Sequence, residues 1–133
     1  EQWQTLADGL SLRTRAFIDG RYVDAASGAS FPCISPIDGR VLAQVAECGQ
    51  RDVDHAVAAA RRAFQKGQWA GLKPARRKQV LLRLAGLVER HADELALLET
   101  LDMGKPVGEA RGVDIGGGIR CIQWRPPAAT SWA

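Results

Sequence analysis

The sequence predicts an α/β fold in which short β-hairpins come first and amphipathic helices follow. Up to Gly49, turn dipeptides recur about every ten residues between short apolar runs. From Arg51 the apolar period lengthens from near 2 to about 3.6 residues. Beyond that point Gly67, Pro74, Gly104 and Pro106 mark the ends of the periodic segments.

The first hairpin spans Ala16 to Ala25. Phe17 and Ile18 lead into Asp19-Gly20, a dipeptide that tolerates the positive φ angles of a tight turn, and Tyr22-Val23 resumes the extended run. Ser27-Gly28 marks a second turn. Phe31 to Pro36 reads as extended, because a residue before proline is pushed out of the helical region. Ile37-Asp38-Gly39-Arg40 turns again, and Val41, Leu42 and Val45 form a short strand ending by Gly49.

Val53, Ala56, Val57, Ala60 and Phe64 then form one stripe of an amphipathic helix. Asp52 and Asp54 in its first turn, and Arg61, Arg62 and Lys66 near its end, complement the helix dipole, with Gly67 as the terminating residue. A second helix starts at Pro74, where a missing N–H costs nothing. Its stripe is Val80, Leu81, Leu84, Leu87 and Val88, and Leu95, Leu98 and Leu101 continue a similar one. No Gly or Pro separates the two stripes, so one long helix and two shorter ones both fit. Gly104 with Pro106 ends the run. From Gly108 to Trp124 the helical signal is weak: Val113, Ile115, Ile119 and Ile122 could line a helix, but Gly116-Gly117-Gly118 costs about 1 kcal/mol per glycine relative to alanine. Such a helix needs tertiary support.

The composition, 46% hydrophobic and 25% charged over 133 residues, is that of an ordinary globular protein. No apolar stretch approaches the roughly 20 residues that span a bilayer. Glu1 to Leu12 lacks the basic start and continuous apolar core of a signal peptide. Cys33, Cys48 and Cys121 are an odd, widely spaced set with no zinc-binding pattern, which fits the reducing cytoplasm. The net charge of +3 is mild, and most basic residues lie beside acidic ones, so no nucleic-acid partner and no membrane are expected.

The sequence holds few motifs that carry chemistry. Gly104-Lys105 resembles the end of a phosphate-binding loop, but Glu99 stands where the loop's first glycine belongs. The glycines at 116–118 are not a dinucleotide fingerprint and follow no strand. His55 and His91 read as solvated helix residues, and Arg76-Arg77-Lys78 as a solvated face. Each cysteine reads as a small buried hydrophobe, because a nucleophilic one needs a cation or helix N-terminus to lower its pKa.

The order of the pieces adds a further reading. Phe17-Ile18-Asp19-Gly20-Arg21-Tyr22 resembles the hairpin that opens aldehyde dehydrogenases, and Ser35-Pro36-Ile37-Asp38-Gly39 resembles a turn of that family. Asp52-Val53-Asp54 with Ala56-Val57 and Ala59-Ala60 is similar to a family helix. Trp69, the Pro74 to Leu84 stretch and Glu94-Leu95-Ala96 follow in the family's order. Glu99-Thr100-Leu101-Asp102-Met103-Gly104-Lys105-Pro106 resembles the family's most specific signature in this region. Seven matches in correct order and spacing identify residues 16–124 as similar to the first part of the family's NAD(P)-binding domain. Residues 1–15 then form an N-terminal extension and residues 125–133 a tail without family likeness, where Pro126-Pro127 breaks helix. An interrupted or shifted reading frame would produce that ending, as would a deliberately shortened chain. A Trp near the N-terminus, Met103, Asp114-Ile115-x-Gly117 and Ile122-x-Trp124 resemble the branch that oxidises γ-glutamyl-γ-aminobutyraldehyde and related aminoaldehydes of polyamine breakdown.

The resemblance implies a Rossmann-like α/β unit, incomplete here, and an enzyme that oxidises an aldehyde with NAD or NADP and forms homo-oligomers. It also implies that the nucleophilic cysteine, the glutamate base and the nicotinamide-binding residues lie beyond this chain, so no catalytic and no cofactor-binding residue is carried over and the chain alone is expected to be inactive. One site does carry over: a monovalent cation, Na⁺ or K⁺, on the backbone carbonyls of Cys33 and Ile34 and the carboxylate of Asp102. The alternative for Asp102 is a local cap or pair near a helix end. Two other readings of the whole chain are a non-catalytic module docking on aldehyde dehydrogenase subunits, and a weak nucleic-acid binder using Arg61, Arg62, Arg76, Arg77 and Lys78.

Overall fold

The computed structural model describes residues 2–124, in two compact units. The expected tail at 125–133 lies outside the described residues.

One unit comprises the chain up to Leu72 together with Asp102–Gly104. It opens with a helix the sequence reading did not anticipate, α1 (Gln2–Asp8), in which Gln4 donates to Asp8 at 3.1 Å. β1 (Ala16–Ile18) and β2 (Arg21–Val23) pair antiparallel with Phe17 opposite Tyr22, and the two rings meet edge-on at 5.1 Å. Asp19 and Gly20 turn between them at φ +54° and +80°, as Asp-Gly should in a two-residue hairpin. β3 (Ser30–Ile34) and β4 (Val41–Ala46) form a second antiparallel pair, whose register shifts between Cys33 and Ile34. The extended run thus stops at Ile34, and Pro36 belongs to the turn that follows.

α2 (Gln50–Gln65) begins and ends where the sequence placed it, with Gly67 beyond it at φ +66°. Its inward face is not the apolar stripe. Asp52 and Ala59 are buried and Ala56 is half-buried, whereas Val53, Val57 and Phe64 are 50%, 60% and 73% exposed. Polar bonds explain the choice. The Asp52 carboxylate accepts the Ala26 amide at 2.9 Å and the Gly49 amide at 3.0 Å, while Arg62 reaches Asp19 at 3.3 Å. Gly49 is the N-cap and has no side chain to offer, so the amide-accepting role falls wholly to Asp52 at the third helical position.

The other unit comprises Lys73–Leu101 and the residues from Lys105 onward. α3 (Pro74–Arg90) starts on Pro74, and α4 (Ala92–Met103) follows it as a separate helix. The break is at His91, which leaves helical geometry at φ −106° and ψ 18°. Its carbonyl accepts the Leu95 amide at 2.9 Å and its ring lies 3.1 Å from Glu94, so His91 closes one helix and starts the next without a Gly or Pro. The last residues of α4, Asp102 and Met103, belong to the first unit.

The weakly helical stretch after Pro106 is helical throughout. It consists of α5 (Val107–Glu109), a π-helical segment (Ala110–Ile115) and α6 (Gly116–Gln123). α6 packs on α3, the tertiary support its glycines need. Lys105 pairs with Asp114 inside the π segment, and Arg111 of that segment pairs with Asp93 of α4.

Buried apolar residues are mostly alanines: Ala25 and Ala59 with Ile18 in the first unit, and Ala85, Ala92, Ala96 and Ala110 with Leu97 in the other. Alanine removes little apolar area from water, so these cores contribute less per residue than leucine or phenylalanine would. Leu81, Leu84 and Leu87 of α3 stay 38–45% exposed. No helix among the described residues is long and apolar enough to cross a membrane.

Candidate cation site

The turn after β3 is rigidly built. Ser35 is 2% exposed; its amide donates to the Arg40 carbonyl at 2.9 Å, its carbonyl accepts from Gly39 at 2.9 Å, and its hydroxyl accepts from Ile37 at 3.2 Å. Gly39 takes φ +73°, which a side chain would oppose. Asp38 accepts the Arg40 amide at 3.2 Å and pairs with the Arg40 guanidinium at 3.2 Å. The Arg40 amide, then the Ser35 hydroxyl, hold the Asp38 carboxyl below its usual range against desolvation, and the Arg40 charge adds a smaller lowering effect.

This turn meets the end of α4. Gly104, at φ +75°, is so close to Pro36 that an added Cβ would lie 3.2 Å from the proline Cγ. Pro36 and Gly104, far apart in sequence, therefore meet, and Asp102 arrives beside β3. The Cys33 thiol donates to Asp102 Oδ1 at 3.5 Å. Asp102 is thus engaged by a strand residue 69 positions away in sequence.

Of the three expected site residues, the structure brings Cys33 and Asp102 into contact. Ile34 follows Cys33 across the register shift, with its side chain 55% exposed. Desolvation, then the hydrogen bond to Asp102 and its negative charge, raise the Cys33 thiol above its ordinary value. A thiol so placed stays protonated at neutral pH and is a poor nucleophile. The ligand set expected from the sequence, one carboxylate and two backbone carbonyls, would suit a hard cation better than a thiophilic one. No group of three or more His, Cys, Asp or Glu able to hold a metal ion occurs among the described residues.

Cys48 and Cys121 are exposed, correcting the expectation that every cysteine is buried; Cys33 is half-buried, and none of the three forms a disulfide. Cys48 sits in the link between β4 and α2 and Cys121 on α6, away from either unit's alanine core. The sequence reading also missed the tie between Asp52 and Ala26. The visible signal was an acidic residue three positions after Gly49, but nothing in the sequence pointed to the distant amide. His91 is exposed, as expected of a solvated residue, and pairs with Glu94.

Comparison with known proteins agrees with this architecture. The profile described as "Aldehyde dehydrogenase family" matches residues 22–132. The chain is 48% identical over 124 residues to an aminoacetaldehyde dehydrogenase of Pseudomonas aeruginosa, covering 93% of this chain and 25% of that protein. It superposes on the crystal structure of a γ-glutamyl-γ-aminobutyraldehyde dehydrogenase from Burkholderia cenocepacia with a TM-score of 0.89 at 58% identity, covering 92% of this chain and 25% of that one. An indole-3-acetaldehyde dehydrogenase from P. syringae in complex with NAD⁺ gives a TM-score of 0.88 at 55% identity, again covering 92% of this chain and 25% of that one. The chain spans about a quarter of the length of the relatives it matches. Its strands, helices and motif order are those of their N-terminal part, and the chain belongs to the aldehyde dehydrogenase family.

Proposed function

We propose that this chain supplies the N-terminal part of an enzyme that oxidises an aldehyde to its carboxylic acid with NAD⁺ or NADP⁺, and that the chain alone is inactive. The observation that carries the reading is the ordered motif run ending at residues 99–106, folded so that the 35–39 turn packs on Gly104. Likeness to the P. aeruginosa and B. cenocepacia enzymes supports an aminoaldehyde as the substrate class, as do Asp114-Ile115-x-Gly117 and Ile122-x-Trp124. The nicotinamide, when bound, accepts the hydride; the residues of this chain supply scaffold and make no contact with it in this reading. The whole enzyme is a homo-oligomer of the cytoplasm, a location that suits three cysteines without a disulfide.

Within this reading Asp102, with the carbonyls of Cys33 and Ile34, holds K⁺ or Na⁺ and clamps the end of α4 to β3. The thiol contact supports it, because it brings the only charged ligand of the set to the strand that carries the other two.

Complementation tests the function. The remaining three quarters of the P. aeruginosa relative, produced separately and mixed with this chain, should reduce NAD⁺ with an aminoaldehyde, whereas either part alone should not. No activity on mixing, when an equal split of the relative itself does complement, would count against the proposal. For the cation, KCl or NaCl should raise the thermal midpoint above that in choline chloride, and Asp102→Ala should remove the difference. An unchanged salt-specific response in that variant excludes the site.

A further inference from the structure

We propose that Asp19 is a site of spontaneous covalent rearrangement, at which the Gly20 amide nitrogen closes on the Asp19 side chain and leaves an isoaspartyl link in the first hairpin. The tetrapeptide Ile-Asp-Gly-Arg occurs twice in the chain, at 18–21 and at 37–40, and a third Asp-Gly pair stands at Asp8-Gly9. Local sequence therefore gives Asp19 and Asp38 the same intrinsic reactivity. Exposure does not separate them either, since their side chains are 53% and 51% exposed. Hydrogen bonding does. The Gly39 amide donates to the Ser35 carbonyl at 2.9 Å, and Arg40 occupies both oxygens of Asp38, one with its amide and one with its guanidinium. The Gly9 amide donates to the Thr5 and Leu6 carbonyls at 3.3 and 3.2 Å. Among the described residues the Gly20 amide has no acceptor, and Asp19 is held only through Oδ2, by Arg62 at 3.3 Å. An exposed ion pair of that kind restrains little.

The turn geometry favours the closure. Asp19 sits at φ +54°, the positive value that type I′ and type II′ turns share at this position. Turning the Asp19–Gly20 peptide from one type to the other carries ψ of Asp19 to about −120°, which in an L residue eclipses the next nitrogen with Cβ and brings it within reach of Cγ. No hydrogen bond of the Gly20 amide has to break first. The nitrogen then bonds to Cγ, and the amide proton leaves with the carboxyl hydroxyl as water, giving a five-membered succinimide. Water reopens the ring. Addition at Cγ restores aspartate. Addition at the backbone carbonyl carbon leaves the chain running through Cβ and Cγ, with the former backbone carbonyl as a free carboxylate. The overall mass is unchanged, and nothing is oxidised or reduced. The new link is one carbon longer, so it no longer fits a two-residue turn, and Phe17 and Tyr22 lose their fixed pairing. The inference concerns the hairpin itself and is independent of the enzymatic reading.

Warm incubation of the 133-residue chain in mildly acidic buffer, which supplies the protonated carboxyl, is the test. Trypsin separates the three Asp-Gly pairs into peptides 1–13, 16–21 and 22–40, and chromatography resolves each isoaspartyl peptide from its parent of equal mass. In concentrated urea Asp19 and Asp38 should rearrange at the same rate, because their neighbours are the same. In buffer Asp8 and Asp38 should slow at least about tenfold, since their glycine amides react only after a local opening, while Asp19 stays within about threefold of its rate in urea. Three results overturn the proposal: equal protection of Asp19 and Asp38 in buffer, isoaspartate that appears first at Asp8 or Asp38, or rates in buffer that match those in urea at all three sites.

Discussion

The carboxylate of Asp52 and the backbone amide of Ala26 are bonded at 2.9 Å, joining the N-terminus of α2 to the chain just past β2. The other oxygen of the same carboxylate holds Gly49, so one nearly buried side chain satisfies two amides that have no other partner in a helix ladder. Asp52→Ala leaves both amides without an acceptor and should cost about 2–3 kcal/mol. Asp52→Asn keeps one carbonyl oxygen and turns an NH₂ towards the second amide, so it should cost nearly as much. Urea midpoints at constant m-value check both. A loss below about 0.5 kcal/mol in the alanine variant would mean that water replaces the carboxylate at both amides.

Gly104 and Gly39 offer a controlled comparison. Both sit at positive φ, +75° and +73°, so alanine should cost about 1–2 kcal/mol of backbone strain at each. Only Gly104 also faces a neighbour, Pro36 Cγ at 3.2 Å from the added Cβ, whereas nothing lies within 4 Å at Gly39. Gly104→Ala should therefore destabilise by about 1 kcal/mol more than Gly39→Ala. Adding Pro36→Ala should recover that excess in a double-mutant cycle. Equal losses at the two glycines would dismiss the Pro36 contact as the link between the turn and α4.

What could be read from the sequence follows the range of the interactions involved. The Asp19-Gly20 hairpin, the start of α3 at Pro74 and the stop at Gly104 depend on local backbone preferences, and all three stand in the structure. The division at His91 was undecidable, because it rests on one residue's carbonyl and ring rather than on a helix-breaking residue type. The stripe of α2 lies outward, with Val53, Val57 and Phe64 exposed, because periodicity marks where apolar residues lie but not which side other bonds, here those of Asp52 and Arg62, pull inward. For the candidate site, the resemblance singled out Asp102 and Cys33. Their contact depends on packing between segments 69 residues apart, which no local pattern encodes. The π segment was invisible for a similar reason: its Lys105–Asp114 and Arg111–Asp93 pairs are tertiary.

The Cys33 thiol should resist alkylation at neutral pH. Its folded pKa lies above the ordinary value of 9.0, so the thiolate fraction at pH 8 is smaller than in the unfolded chain. The linkage runs in the same direction: folding favours the protonated thiol, a contribution fully present below pH 9.0 and lost as pH rises through the higher folded value. Iodoacetamide labelling followed by peptide mass spectrometry should find Cys33 modified more slowly than the exposed Cys48 and Cys121. Asp102→Asn removes the negative charge and should speed labelling of Cys33 several-fold at fixed pH. Equal rates in the two proteins would show that desolvation alone governs this thiol.

The purified chain should reduce neither NAD⁺ nor NADP⁺ with γ-aminobutyraldehyde or a simple alkyl aldehyde. Aldehyde oxidation through a thiohemiacetal needs a thiolate, a base for the later hydrolysis and a bound nicotinamide. Cys33 is held protonated beside Asp102. Cys48 and Cys121 are exposed, and no hydrogen bond among the described residues joins either to a histidine that could deprotonate it. His91 is already paired with Glu94 and closes a helix. The covalent step therefore lacks an activated nucleophile even if an aldehyde reaches the surface. Absorbance at the reduced-cofactor wavelength checks the expectation, with C33S, C48S and C121S variants run alongside. Turnover that disappears on one of these substitutions would overturn it, because that cysteine would then be a nucleophile whose activating partner forms only when aldehyde and cofactor bind.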